Sequence, residues 1–341
     1  MIEAIRQEIA IQAPYLDNTP IETIYFGGGT PSLLSADEIN KITDTIYQHY
    51  KIAGEGIKEF TLETNPDDLT KSYVQSLTKT AVTRFSIGIQ SFKDDDLMYM
   101  NRAHNAQEAD YAIKVAQDAG FTNLTIDFIY GTPGLTDAEW KHNLLKVKEL
   151  NIPHFSAYAL TVEEGTALHS NIQKKKTTPV DIEQAAGQFE ILIDSAEAMG
   201  YEQYEISNFA KPGKYAVHNT NYWKGVNYLG IGPSAHSFNG SSRQWNIANN
   251  ALYIKSILEE HKAPAEIEIL TKEQQLNEYI MTSLRTMWGC DINLLGDYAS
   301  AVMQEARPFI EQGKIFHQDN KLILSVSGKL VADKIASELF V

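Results

Sequence analysis

The chain has 341 residues, 43% of them hydrophobic, enough apolar material for one large domain with a smaller one beside it. Its 29 basic and 44 acidic residues give a net charge of −15, which opposes binding to nucleic acid and limits membrane contact to a peripheral one at most. A single cysteine, Cys290, excludes a disulfide framework or a multi-thiolate metal site built from this chain alone; with no apolar window of about 18 residues and a charged, amphipathic start, the expected compartment is the cytoplasm.

Met1 to Ala13 reads as a helix, and the apolar strand Thr23 to Phe26 then runs straight into Gly27-Gly28-Gly29-Thr30-Pro31. Consecutive glycines let the backbone turn sharply and bring its N–H groups close to a ligand, so this stretch reads as a binding loop; the alternative is a turn that needs glycine for geometry alone. Ser32 or Ser35 caps the helix from Ala36 to His49, with Asp37 and Glu38 in its first turn and Ile39, Ile42 and Ile46 on one stripe. Strand Glu59 to Leu62, a helix near Leu69 to Leu77 and strand Arg84 to Ile89 follow. Helices across Lys93 to Met100 and Gln107 to Ala119 come next, the second stopped by Gly120. Strand Leu124 to Tyr130, helix Asp137 to Leu150 and strand His154 to Leu160 complete the run. Strands separated by helices mark parallel β/α units, and this many crossovers favour a curved half barrel of the α/β class over a small open sheet.

In such folds chemistry gathers at the C-terminal ends of the strands. There the sequence places Gly27 to Thr30, Glu63 to Pro66, Gln90-Ser91 and Tyr130 to Gly134. Glu63 and Gln90, on neighbouring strand ends, suit the vicinal hydroxyls of a ribose. Asp127, inside an apolar strand, needs either a cation such as Arg84 or Arg102 or a ligand at the barrel mouth.

Three regions are expected: 1–173 as the half barrel, 174–250 as an extension, and 251–341 as a mostly α, winged-helix-like domain. Asp181 to Met199 reads as a helix. Tyr201 to Asn246 is aromatic and glycine-rich without helical periodicity, and contains His218-Asn219-Thr220-Asn221-Tyr222-Trp223 and Gly230 to Ser237. Leu252 to Val341 reads as helical, with a hairpin at Lys314 to Leu324 around Asp319-Asn320. Gly232-Pro233-Ser234 lacks the closing glycine of a nucleophile elbow, which argues against a serine hydrolase.

The segments I-Y-F-G-G-G-T-P-S-L-L, L-E-T-N-P, R-F-S-I-G-I-Q-S-F, I-D-F-I-Y-G-T-P-G-L-T and S-A-Y-A-L-T-V-E-E-G-T, with Y-E-I-S-N-F through A-H-S-F, occur in this order over essentially the whole chain. Together they resemble the oxygen-independent coproporphyrinogen III oxidase family of radical S-adenosylmethionine proteins, and within it the HemW branch of haem chaperones. The resemblance implies a partial (β/α)6 barrel, here lacking its first strand. Gly28, Gly29 and Thr30 match the loop that receives the methionine end of S-adenosylmethionine; Glu63 and Gln90 match groups on its ribose and carboxylate side. Arg102 and Asp127 match further cofactor contacts, Ala159 a residue near the adenine, and His236 another cofactor position. The H-N-T-N-Y-W segment matches a haem-binding motif, which makes His218 the candidate iron ligand with Asn219, Tyr222 and Trp223 around it.

The implied function is haem binding and transfer to acceptor proteins. The alternative is oxidative decarboxylation of coproporphyrinogen III, whose metal-free substrate has no use for an iron ligand. The family holds a [4Fe–4S] cluster with three cysteines in a C-x-x-x-C-x-x-C loop after the first barrel strand, and this chain has no such loop. The sequence is therefore expected to start at an internal methionine of a longer protein, the alternative being a genuine remnant that cannot reduce S-adenosylmethionine; as it stands the chain is expected to leave strand Thr23 to Phe26 at an uncovered edge and to be inert in radical chemistry.

Overall fold

The computed structural model describes residues 1–341. Seven strands, β1 (Thr23–Phe26), β2 (Glu59–Thr64), β3 (Arg84–Gln90), β4 (Leu124–Tyr130), β5 (His154–Ala159), β6 (Glu202–Glu205) and β7 (Asn208–Ala210), make one curled half-barrel sheet in the order β1-β2-β3-β4-β5-β7-β6. Strands β2 to β5 pair in parallel, with Leu62 opposite Phe85, Ile87 opposite Ile126 and Phe128 opposite Ala157. Parallel strands are covered on both faces, and Phe60, Leu62, Phe85, Ile126, Phe128 and Phe155 are accordingly fully buried. Strands β6 and β7 close the far edge as an antiparallel pair, and β1 forms the other edge, as the sequence leads one to expect.

The helices between these strands start where the sequence marks them. Ser35, rather than Ser32, caps Ala36–His49: its hydroxyl accepts from Glu38 N while the Glu38 carboxylate accepts from Ser35 N at 2.9 Å. The same reciprocal pairing opens Ala106–Asp118 through Asn105 and Glu108, and Asp137–Glu149 through Thr136 and Glu139. Each such cap is worth about 1 kcal/mol.

The chain forms two compact units that interleave along the sequence: 1–24 with 34–60 and 217–341, and 25–33 with 61–216. The first unit carries an antiparallel sheet of β8 (His236–Phe238), β9 (Ser242–Asn246) and β10 (Ala265–Ile269). It also carries the winged-helix-like part, with β11 (Cys290–Asp291), β12 (Ile315–Gln318) and β13 (Lys321–Leu324) among its helices. The expected hairpin is present: Asp319 and Asn320, with φ of 52° and 60°, make a left-handed two-residue turn between β12 and β13.

Two elements differ from the sequence reading. The region read as lacking helical periodicity contains the helix Val217–Trp223, whose N-terminus is satisfied by a distant group: the Glu59 carboxylate accepts from Val217 N at 2.9 Å and His218 N at 3.1 Å. A cap supplied 158 residues away leaves no local trace. Strand β10 lies in a stretch read as helical; it exists because it pairs with β9, a partner no propensity scale sees. No helix is long and apolar enough to cross a membrane.

The N-terminal helix Ile2–Ile11 contributes a fully buried carboxylate to the first unit. Glu8 accepts from Gly232 N at 2.8 Å, Asn246 Nδ2 at 2.6 Å and Tyr253 Oη at 2.5 Å. Burial pushes its pKa up, and the three donors draw it back. Glu8→Ala strands three buried donors and is expected to cost about 3 kcal/mol or more in guanidinium unfolding, with Glu8→Gln costing clearly less because an amide oxygen still accepts. Equal losses for the two variants would contradict this assignment.

Candidate functional site

The glycine loop after β1 is held by one carboxylate. Glu63, at the end of β2, accepts from Tyr25 Oη at 2.5 Å and from Gly28 N at 3.0 Å. The three glycines serve different purposes. A Cβ on Gly27 would press into the Tyr25 ring and lie 2.9 Å from Glu63 Oε1, so close approach requires glycine there. Gly28 and Gly29 have φ of 73° and 63°, and a Cβ on either would meet nothing within 4 Å. Their backbone faces open space, as a cradle for a ligand does, and Thr30 follows on the exposed side.

A second group of side chains ties the next strand ends together. Arg102 Nη2 donates to Asn65 Oδ1 at 3.1 Å and to the Gly88 carbonyl at 3.3 Å. Asp68 accepts from Ser32 Oγ at 2.5 Å, and Asn65 Nδ2 approaches the same carboxylate at 3.5 Å. Gly88 admits this packing, since a Cβ there would sit 3.0 Å from Gln90 Nε2 and 3.5 Å from Arg102 Nη2.

Gln90 itself is strained: its φ is 61°, and the β3–β4 register shifts between Ile87 and Gln90. A left-handed non-glycine residue costs about 1–2 kcal/mol, and a buried polar network holds it in place. His104 Nε2 lies 3.0 Å from the Ile89 carbonyl, which also accepts from Ser91 N at 2.8 Å. Ser91 Oγ donates to Asp96 at 2.8 Å and accepts from Asn143 Nδ2 at 3.0 Å. Burial lowers the His104 pKa, so the ring is neutral and its Nε2–H is the donor.

Arg84 is engaged by Asn123 Oδ1 at 2.6 Å and by Thr125, and its charge also draws the Asp127 pKa down, while Arg102 is engaged by Asn65 and Gly88. The Ser86 hydroxyl donates to Asp127 at 3.0 Å, and the Ser156 hydroxyl lies beside it on β5, its own proton given to Asn208 Oδ1 at 2.9 Å. Burial first, with Glu63 as a nearby like charge, raises the Asp127 pKa to about 6 against the pull of the two serines. Burial first raises the pKa of Tyr25 and Tyr158, with Glu63 adding to the rise at Tyr25 and the Asp127 charge a further contribution at both. Ala159, beside Tyr158 at the end of β5, is exposed. This unit therefore brings together a glycine cradle, the carboxylates Glu63 and Asp127, the amide of Gln90 and the guanidinium of Arg102. That set complements a zwitterionic ligand with a cationic centre, a carboxylate and hydroxyls.

The other candidate residues lie in the first unit. His218 Nδ1 is 2.7 Å from Thr23 Oγ1, and burial lowers its pKa to about 4 despite the nearby Glu59, so the imidazole is neutral at pH 7. Tyr222, one helical turn on and exposed, meets the His218 ring edge-to-face at 5.1 Å. Asn219 Oδ1 accepts from Trp223 Nε1 at 3.0 Å, and the Arg285 guanidinium lies 5.4 Å from the centre of that indole. His236 opens β8 in this same unit and stacks on Trp245 at 6.3 Å. The sequence reading passed over Tyr25, Gly88 and His104, and also Thr23 and Glu59; only Tyr25 carries a local clue, standing two residues before the glycines on the binding strand.

Residues 3–147 match the radical SAM superfamily. The chain is 31% identical to the haem chaperone HemW of Bacillus subtilis, over 98% of this chain and 89% of that protein. The chain belongs to the HemW family of radical SAM proteins. HemW of Mycobacterium tuberculosis is 30% identical over 98% of this chain and 85% of its own length. Among solved structures, coproporphyrinogen III oxidase (HemN) from Escherichia coli, a radical SAM enzyme, superposes with a TM-score of 0.82 at 21% identity, covering 99% of this chain and 82% of that one; at this identity the likeness carries the fold. The radical SAM family implies S-adenosylmethionine and a [4Fe–4S] cluster. The glycine cradle and the carboxylates around it fit the first. The residues of this chain do not fit the second: no three His, Cys, Asp or Glu side chains converge, and Cys290 is fully buried with its thiol pKa pushed up to about 11.

Two outcomes test this geometry. Gln90→Gly removes the left-handed strain and is expected to raise unfolding stability by about 1 kcal/mol; a loss would show that the backbone there is unstrained. Asp127, raised from 3.8 to about 6, binds its proton more tightly in the native state, so its contribution is full below its ordinary pKa and lost as pH rises through about 6. Between those values the parent protein should lose more stability than Asp127→Asn, and parallel pH profiles would contradict the assignment.

Proposed function

We propose that this protein binds haem through His218 and passes it to acceptor proteins, in keeping with the name its HemW relatives carry, and that its glycine-loop unit binds S-adenosylmethionine. The observation that supports the haem reading best is the state of His218: neutral, anchored at Nδ1 by Thr23 and flanked by the exposed Tyr222 ring. Iron takes a neutral imidazole nitrogen. For Nε2 to ligate iron, Nδ1 must carry the proton and donate it to Thr23 Oγ1, which fixes both the tautomer and the ring orientation. Tyr222 and Trp223 then offer flat apolar faces to a porphyrin.

In the other unit, the N–H groups of Gly28 and Gly29, with Thr30, would receive the methionine end of S-adenosylmethionine, and Arg102 its carboxylate. Glu63 and Gln90 would take the ribose hydroxyls, Ala159 would lie against the adenine, and Asp127 would face the cationic part. Bound in this way the molecule supplies a sulfonium electrophile; the chain's own residues orient it and neutralise its charge. Oxidation of coproporphyrinogen III is the second reading, favoured by the HemN-like fold. A metal-free porphyrinogen gives His218 nothing to do.

Titration with haemin checks the haem reading. A shifted Soret band is expected, lost in His218→Ala and weakened about tenfold in Thr23→Val, the size of effect typical when a metal-bound histidine loses its outer hydrogen bond. An unchanged Soret shift in His218→Ala would overturn the reading.

A further inference from the structure

The ring of Tyr222 does not end the aromatic surface that begins at His218. Tyr228 meets Tyr222 at 4.5 Å, and Phe238 on β8 lies 6.2 Å beyond Tyr228. Tyr228 and Phe238 are fixed to each other by paired backbone hydrogen bonds of 2.8 and 2.9 Å, so the far half of this wall is rigid. All three rings are at least partly exposed, and none belongs to the interior of a sheet. At the far end stands Arg243, the cross-strand neighbour of Phe238, close enough for its charge to oppose the rise that burial imposes on the Tyr228 pKa.

We propose that the porphyrin face extends along Tyr222, Tyr228 and Phe238, and that Arg243 anchors a propionate at its end. The inference rests on the haem reading above and adds the class of ligand: a metalloporphyrin with free carboxylate side chains. The guanidinium geometry suits this. Nε of Arg243 lies 2.7 Å from Glu278 Oε1, which holds the side chain from behind. Its terminal amino groups make no hydrogen bond to the protein and present the two-pronged edge that matches a carboxylate. Glu268, cross-strand from Arg243 on the exposed edge strand β10, and Glu266 two residues before it are further carboxylates on this face; they weaken the attraction without occupying the fork. In a chain of net charge −15, a single placed arginine is what lets an anionic porphyrin settle with one orientation.

The experiment compares haemin with its dimethyl ester, whose iron and rings are the same and whose propionates are uncharged. The unsubstituted protein should bind haemin about tenfold tighter than the ester at low salt, the size of one charge-assisted carboxylate contact. Arg243→Gln should abolish that preference by weakening haemin alone, Arg243→Lys should restore part of it, and Tyr228→Leu should weaken both ligands alike. Arg243→Gln leaves Glu278 unpaired, so Arg243→Gln with Glu278→Gln is run beside it, each checked for an unchanged thermal transition. Equal affinity for the two ligands in the unsubstituted protein, with binding still lost in His218→Ala, overturns this proposal and leaves the haem reading standing. No haemin binding by the unsubstituted protein overturns both.

Discussion

The position of His218 depends on a carboxylate that the local sequence does not hint at. Glu59, buried at the start of β2, accepts from the first two backbone N–H groups of the helix Val217–Trp223. A seven-residue helix is too short to stand on its own propensity, and a negative charge at its N-terminus compensates for what length does not supply. The same carboxylate opposes the burial-driven fall of the His218 pKa without reversing it. The cap seats the helix, Thr23 holds the imidazole at Nδ1, and burial outweighs the Glu59 charge and leaves the ring neutral, the condition for binding iron. Everything placed along that helix, from Asn219 to Trp223, inherits its position from this cap.

A comparable logic runs through the glycine-loop unit, with strain in place of a cap. Gln90 is held in a left-handed conformation by His104, Ser91, Asp96 and Asn143, all buried and all hydrogen-bonded to one another or to the neighbouring backbone. A conformation that costs free energy persists only where its surroundings over-determine it, and such places are typically binding sites. Glu63 does the same for the loop before it, closing Tyr25 and Gly28 onto one carboxylate. The two devices fix the polar groups at adjacent strand ends before any ligand arrives, which lowers the ordering cost of binding.

Much of this was legible in the sequence, for physical reasons. The β/α alternation, the helix cap at Ser35 and the Asp319-Asn320 turn are local signals, carried by residues a few positions apart, and the structure shows each. The strand-end polar residues were legible because a parallel sheet has one functional edge. What escaped was non-local: the Glu59 cap, the pairing that makes β10 a strand, and the His104 prop under Gln90. Asp127 lay between. Its need for partners could be read from its apolar neighbours, whereas the placing of Ser86 and Ser156 beside it is set by cross-strand register. The resemblance to a known family supplied what neither local pattern nor composition can, namely the ligand proposed for each set of groups.

The central claim is that a histidine nitrogen of this chain, that of His218, binds haem iron. Pulsed electron paramagnetic resonance on the haemin-loaded protein, made with 15N-histidine, reads that bond directly. The account predicts a 15N hyperfine coupling from an axial imidazole, absent when His218 is alanine. An axial signal without 15N coupling, or one that survives in His218→Ala, would contradict it.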